Sequence, residues 1–121
     1  MANGTVENQM ADIFDDISKR VKGIMEIAIK ETAKETVMKL RSTSPVKTGS
    51  YAQGWKAGKR RGSDYIVHNA TDYQLTHLLE NGHVIRNKKG TYGRTNGTKH
   101  IAPVEEWAVD ELPRRIIEDI P

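Results

Sequence analysis

Apolar positions in the first third of the chain fall at helical spacing. Val6, Met10, Ile13, Ile17, Val21, Ile24 and Ala28 recur at steps of four and three, and Val37 and Leu40 resume the stripe after a polar stretch. No proline interrupts the pattern before Pro45, so a helix is expected over about residues 5–41. At 1.5 Å per residue such a helix runs to about 55 Å. A compact domain of this size has a radius of gyration of about 14 Å. A straight helix would therefore overhang the domain. Either Gly23 breaks or bends it into shorter helices, or another chain supports part of it. In both cases this segment is the expected carrier of assembly contacts.

The stretch Ser42-Thr43-Ser44-Pro45-Val46-Lys47-Thr48-Gly49 ends the helix, because Pro45 pushes Ser44 out of helical geometry and Gly49 frees the backbone to turn. Trp55–Arg60 and Asp64–Asn69 then read as two strands joined by Arg61-Gly62-Ser63. Tyr65, Val67 and Asn69 alternate with Ile66 and His68, as in a half-buried strand. A short helix is expected over 73–81, capped by Asp72, with Leu75, Leu78 and Leu79 on one face. Gly82 stops it by taking a left-handed conformation. Residues 84–99 carry repeated glycines and five bases without an acid, and read as a long basic loop. A final helix is expected from about Pro103, a favoured first-turn residue, to about 118. Glu105 and Glu106 suit its N-terminal dipole, Trp107 and Leu112 its apolar contacts, and Pro113 kinks or divides it. The elements describe a single domain over 1–121: long helix, then strands, short helix and basic loop over about 44–102, then the C-terminal helix.

Chemistry is most concentrated at Tyr73–His83, where His77, Glu80 and His83 lie off the leucine face. A catalytic zinc needs about three convergent ligands and an open position. The spacing is not His-Glu-x-x-His, and the chain has no cysteine, which also removes disulfides and thiolate sites. A metal-dependent hydrolase using these three residues is the enzymatic alternative; the favoured reading is that the histidines make hydrogen bonds fixing the helix against the loop. Gly90, Gly93 and Gly97 have the wrong spacing for a phosphate-binding loop, and no serine sits in Gly-x-Ser-x-Gly. The chain is expected to be no enzyme and to need no cofactor.

Composition narrows the class further. Hydrophobic residues make up 36% of the 121 positions and charged residues 29%. That is lean for a deep pocket and favours a small domain stabilised by assembly. No apolar run is long enough to span a bilayer and no leader is apparent, so a soluble, intracellular chain is expected. The net charge of +3 is unevenly spread: residues 36–104 hold twelve bases and three acids, and both flanking segments are acidic in balance. A basic centre suits an anionic partner, either nucleic acid or acidic faces of neighbouring subunits, and equally suits a solvated surface. Lys56, Lys59, Arg60 and Arg61, with Trp55 and Tyr65 nearby, would give a basic strand surface with aromatics for phosphate contact; alternatively Trp55 and Tyr65 are core. No helix-turn-helix, zinc-finger or RNP-like motif is present.

The ordered signals resemble a known family. Ser44-Pro45-Val46-Lys47-Thr48-Gly49-Ser50-Tyr51 resembles the Pro-Val-x-Thr-Gly motif that follows the long N-terminal helix in the small head–tail joining, or neck, proteins of tailed bacteriophages, also described as minor capsid or tail-component proteins. Gly54-Trp55-Lys56, Tyr65–Asn69, Leu78-Leu79-Glu80-Asn81-Gly82-His83 and His100-Ile101-Ala102-Pro103 continue the pattern, which covers about residues 40–106. The resemblance implies an α+β fold, with the long helix packed on a small antiparallel sheet. It implies a structural virion component joining phage head and tail, made in the cytoplasm of the bacterial host, from free phage or prophage. Its partners would be copies of itself in a ring, the adjacent head-connector and tail proteins, and packaged DNA in passing, with no membrane. Lys56, Lys59, Arg60, Arg61, Arg86, Lys88, Lys89, Arg94 and Lys99 are then the expected contacts to DNA or to acidic neighbours. Leu78, Leu79, Gly82, His83 and His100 form a structural clip: the leucines dock on the sheet, Gly82 turns the chain, and the histidines tie down the loop ends. The alternative function is a small nucleic-acid-binding protein that does not read sequence.

Overall fold

The computed structural model describes residues 5–46, 49–62, 64–87 and 90–120. Its order is α1 (Val6–Thr43), α2 (Ser50–Gln53), β1 (Trp55–Arg61), β2 (Asp64–Asn69), a 3₁₀ turn (Tyr73–Leu75), α3 (Thr76–Asn81), β3 (Gly82–Asn87), β4 (Gly90–Asn96) and α4 (Ile101–Asp119). The architecture is α+β, with the long helix packed against the β1–β2 antiparallel pair.

The first helix is a single element of 38 residues, unbroken at Gly23. Thr5 starts it by accepting the Asn8 N–H on its hydroxyl at 3.1 Å. Ser44 ends it in extended geometry ahead of Pro45. The Ser44 hydroxyl donates back to the Leu40 carbonyl and accepts the indole N–H of Trp55 at 2.8 Å, so a buried polar side chain is satisfied on both counts.

Only the second half of α1 enters the core. Its buried residues are Ala28, Thr32, Ala33, Val37 and Leu40, whereas every residue from Val6 to Arg20 is exposed. Two elements cover the buried half. The β1–β2 pair runs back along the helix, from Arg41, which donates to the Trp55 carbonyl at 2.9 Å, to a depression shared by Lys59, Tyr65, Glu26 and Ile27. On another side α4 lies antiparallel to α1. Val104 joins Val37 and Leu40 in the core, Lys39 sits 4.5 Å above the Trp107 ring, and Arg115 reaches Glu35. The core comprises Val37, Leu40, Tyr51, Trp55 and Val104, flanked by Ala57, Val67, Leu79 and Ile101. Some twenty residues of α1, about 30 Å of helix, project beyond it.

Several expectations require correction. Residues 84–99 are not a long loop: β3 and β4 form a second antiparallel pair, with Gly82 opposite Asn96 and Asn87 opposite Gly90. The glycine count concealed strand formers at Val84, Ile85, Thr91, Tyr92 and Thr95, and Gly90 and Gly93 take positive φ within the ladder instead of dissolving it. Asp72 does not cap the short helix with its side chain; its carboxylate accepts the Ser50 hydroxyl at 2.7 Å. Gly82 has the expected positive φ, at 80°, but ψ of 174° makes it extended, so α3 passes directly into β3. A Cβ there would run into the Thr95 carbonyl. The last helix begins at Ile101, two residues before Pro103, and continues through Pro113 undivided. The carbonyl that Pro113 leaves without its N–H partner belongs to Val109, which is exposed.

Candidate functional site

The chain before β3 and the chain after β4 meet at one junction, where the Thr98 N–H donates to the Leu79 carbonyl at 2.8 Å. Helix α4 starts without a capping side chain of its own, since His100 occupies the cap position and makes no side-chain cap bond. Glu80, at the end of α3, supplies the missing acceptor. Its Oε1 receives the backbone N–H of His100 and of Ile101, both at 2.8 Å, and its Oε2 receives that of Ala102 at 3.0 Å. One carboxylate thus satisfies all three N–H donors that the first turn leaves open, the fourth position being Pro103, which has none, at the positive end of the helix dipole. Burial pushes the Glu80 carboxyl up, but the hydrogen bonds from the backbone N–H groups of Ile101, His100 and Ala102 outweigh it and hold it below the usual carboxylate range.

His100 completes the junction from within. It is 1% exposed, with Nδ1 2.7 Å from the Thr98 carbonyl and 3.0 Å from Glu80 Oε1. Two acceptors at Nδ1 require the proton there, so in neutral imidazole Nε2 accepts the Tyr51 hydroxyl at 2.7 Å. Burial, then the Glu80 charge, pushes the Tyr51 phenol up to about 12, which keeps it a donor. Tyr51 also makes an edge contact with Trp55. Helix α2, the β1 start, the α3 end and the α4 start are therefore joined through Tyr51, His100 and Glu80.

The remaining clip residues divide. Leu79 packs against the core cluster and Leu78 is half-buried. Gly82 is buried at the turn into β3. His83 is exposed and meets the Thr95 hydroxyl at 2.9 Å across the β3–β4 pair. It does not share the junction of His100. Neither does His77, which is exposed. Among the described residues no group of three or more His, Asp or Glu side chains is placed to hold a metal ion.

The basic residues do not form one surface. Lys56 and Arg60 lie on the outward face of β1, where Lys56 pairs with His68. Lys59 is on the other face, opposite Tyr65 and beside Glu26 and Lys30 of α1. Arg61, at the strand end, is exposed. Arg94 donates to the Asn81 carbonyl at 3.1 Å, and Lys99 donates to the Asn81 side-chain oxygen, so both are bound to the α3 terminus. Lys88, Lys89 and the Arg86 side chain lie outside the described residues. Trp55 is core, 4% exposed, which removes the aromatic platform expected of the nucleic-acid alternative.

Sequence reading marked Glu80 only as a possible metal ligand and missed its capping role, and it missed Tyr51 and Asn81 at the junction. A signal existed for the first: Lys99-His100-Ile101 opens a helix with no Ser, Thr, Asp or Asn at the cap, so the acceptor had to come from elsewhere. Which acid supplied it was not readable, because Glu80 lies twenty residues upstream.

Among the described residues no helix is long and apolar enough to cross a membrane. A family model described as "Bacteriophage HK97-gp10, putative tail-component" matches residues 8–82, more than half of the chain. Curated proteins and solved structures gave no match.

Proposed function

The chain belongs to the HK97-gp10-like family of bacteriophage tail components, and we propose that it acts without catalysis as a joining piece between phage head and tail. In this reading it assembles as a ring of copies against the adjacent connector and tail proteins. The observation that carries the reading is the projecting half of α1. Val6, Met10, Ile13, Phe14 and Ile17 are 48–69% exposed on a helix that its own domain does not cover. Apolar surface of that extent marks a contact surface. The buried carboxylate and imidazole in the domain body are consumed in holding α4 to α3, as a scaffold requires.

The outward face of β1, with Lys56, Arg60 and Arg61, is the surface we assign to anionic neighbours, including the phosphates of passing DNA. Deleting the gene from its phage tests the reading. Filled heads and separate tails should accumulate, and a plasmid copy should restore joined particles. Normal tailed, infectious particles in its absence would overturn it.

A further inference from the structure

The projecting half of α1 has a symmetry of its own. From Val6 to Ala28 the apolar stripe steps 4, 3, 4, 4, 3, 4, the same read in either direction, with Ile17 at its centre. At 100° per residue all seven positions fall within about 40° of Ile17, one narrow face. The charges nearest that centre invert about it. Residues 12–16 hold Asp12, Asp15 and Asp16 with no base, and the mirrored residues 18–22 hold Lys19, Arg20 and Lys22 with no acid; Glu7 and Glu26 lie farther out.

We infer that two copies of this chain pair antiparallel through this segment, about a two-fold axis at Ile17. Ile17 meets Ile17, Ile13 meets Val21, and Met10 meets Ile24. Ala28, only 3% exposed, is where the domain body begins, so Val6 of the other copy arrives at its edge. Antiparallel packing places residues from the same flank of the stripe side by side. Asp16 and Arg20 share a flank, at about −100° and −60° from Ile17. Each Asp16 therefore faces Arg20 of the other copy, twice by symmetry. A parallel pair would instead lay the acidic stretches alongside each other, which is unfavourable. The contact is isologous and closes at two copies, leaving the two domain bodies at opposite ends. It goes beyond the head–tail reading: it names the occupant of the stripe in the unassembled chain and holds or fails independently of any virion role.

Sedimentation equilibrium and single-cysteine cross-linking of the full chain test it, with no native cysteine to interfere. The wild-type chain should be a concentration-dependent dimer. Ile17→Cys should cross-link to itself under oxidation. Met10→Cys alone should not, whereas mixed Met10→Cys and Ile24→Cys chains should link to each other. Ile13→Asp with Ile17→Asp should sediment as a monomer and keep the melting temperature of the core, because both positions are exposed and outside it. A wild-type chain that stays monomeric at millimolar concentration would overturn the inference. So would self-linking of Met10→Cys as readily as Ile17→Cys, or a dimer untouched by the double aspartate variant.

Discussion

Replacing Glu80 tests the junction at the residue that closes it. In Glu80→Ala the backbone N–H groups of His100, Ile101 and Ala102 lose their acceptor together. A buried donor left unsatisfied costs about 1–3 kcal/mol, and a hydrated one much less. His100 is buried, Ile101 half-buried and Ala102 exposed. About 2 kcal/mol for the first, about 1 for the second and little for the third, with some tenths from the helix dipole, give about 3–4 kcal/mol. For a domain of this size each kcal/mol moves the melting temperature by about 4 °C, so a drop of about 12–16 °C is expected.

Glu80→Gln retains one carbonyl oxygen for His100 and Ile101 and should cost only about 1–2 kcal/mol. The pH dependence separates charge from shape. The Glu80 carboxyl is held below its ordinary value of 4.5 in the fold. Its ionised form therefore stabilises the native state above that value, and the contribution is lost as pH falls through the folded value. The gap between wild type and Glu80→Gln should be widest near pH 6 and shrink steadily below about pH 5. Thermal denaturation followed by circular dichroism reads both effects. A Glu80→Ala chain melting within about 2 °C of wild type, or a glutamine gap that does not change with pH, would rule out Glu80 as the cap of α4.

Further outcomes follow from the same contacts. Tyr51→Phe leaves His100 Nε2 unsatisfied in the interior and should cost about 2 kcal/mol by chemical denaturation. Because the Tyr51 phenol is raised to about 12 in the fold, the stability it confers holds below its ordinary 10.0 and fades as pH climbs toward 12; in alkaline absorbance titration one of the four tyrosines should ionise late, and Tyr51→Phe should remove that phase. Arg115→Ala should lower stability by about 2 kcal/mol, since Arg115 joins Glu111 of α4 to Glu35 of α1 from a side chain 16% exposed. Arg114→Ala should cost under about 0.5 kcal/mol although its pairs are as short, because Arg114 is 53% exposed. DNA retention by the free chain should be indifferent to sequence and confined to low salt; Lys56→Gln with Arg60→Gln should flatten its log–log salt slope by about 2, readable by fluorescence anisotropy.

Local chemistry made much of this fold legible. The spacing from Val6 to Leu40 and the absence of proline gave α1 almost to its ends, and alternation over Tyr65–Asn69 gave β2 and its pairing. What stayed hidden was non-local or masked by composition. Glycines at 90, 93 and 97 read as loop although Gly90 and Gly93 sit inside a strand, because a ladder can absorb positive φ when its partner strand holds it. The cap of α4 comes from another element, so nothing near Ile101 identified it. Likewise, counting bases in the middle of the chain suggested one basic surface, yet the pleat of β1 parts Lys56 from Lys59, and Asn81 engages Arg94 and Lys99. Periodicity traced the apolar stripe of α1 correctly but not where its cover ends; that depends on how far α4 and the β1–β2 pair reach back along the helix.

As proposed above, this chain is an assembled part of the particle and does its work by the surfaces it presents. Electron cryomicroscopy of purified virions, with quantitative mass spectrometry of the same preparation, tests it most directly. Several copies of the chain per particle are expected at the head–tail junction, each with α1 covered along Val6–Ile24 by another protein or another copy. Virions with an intact junction from which the chain is absent, or a junction in which that stripe still faces solvent, would contradict it.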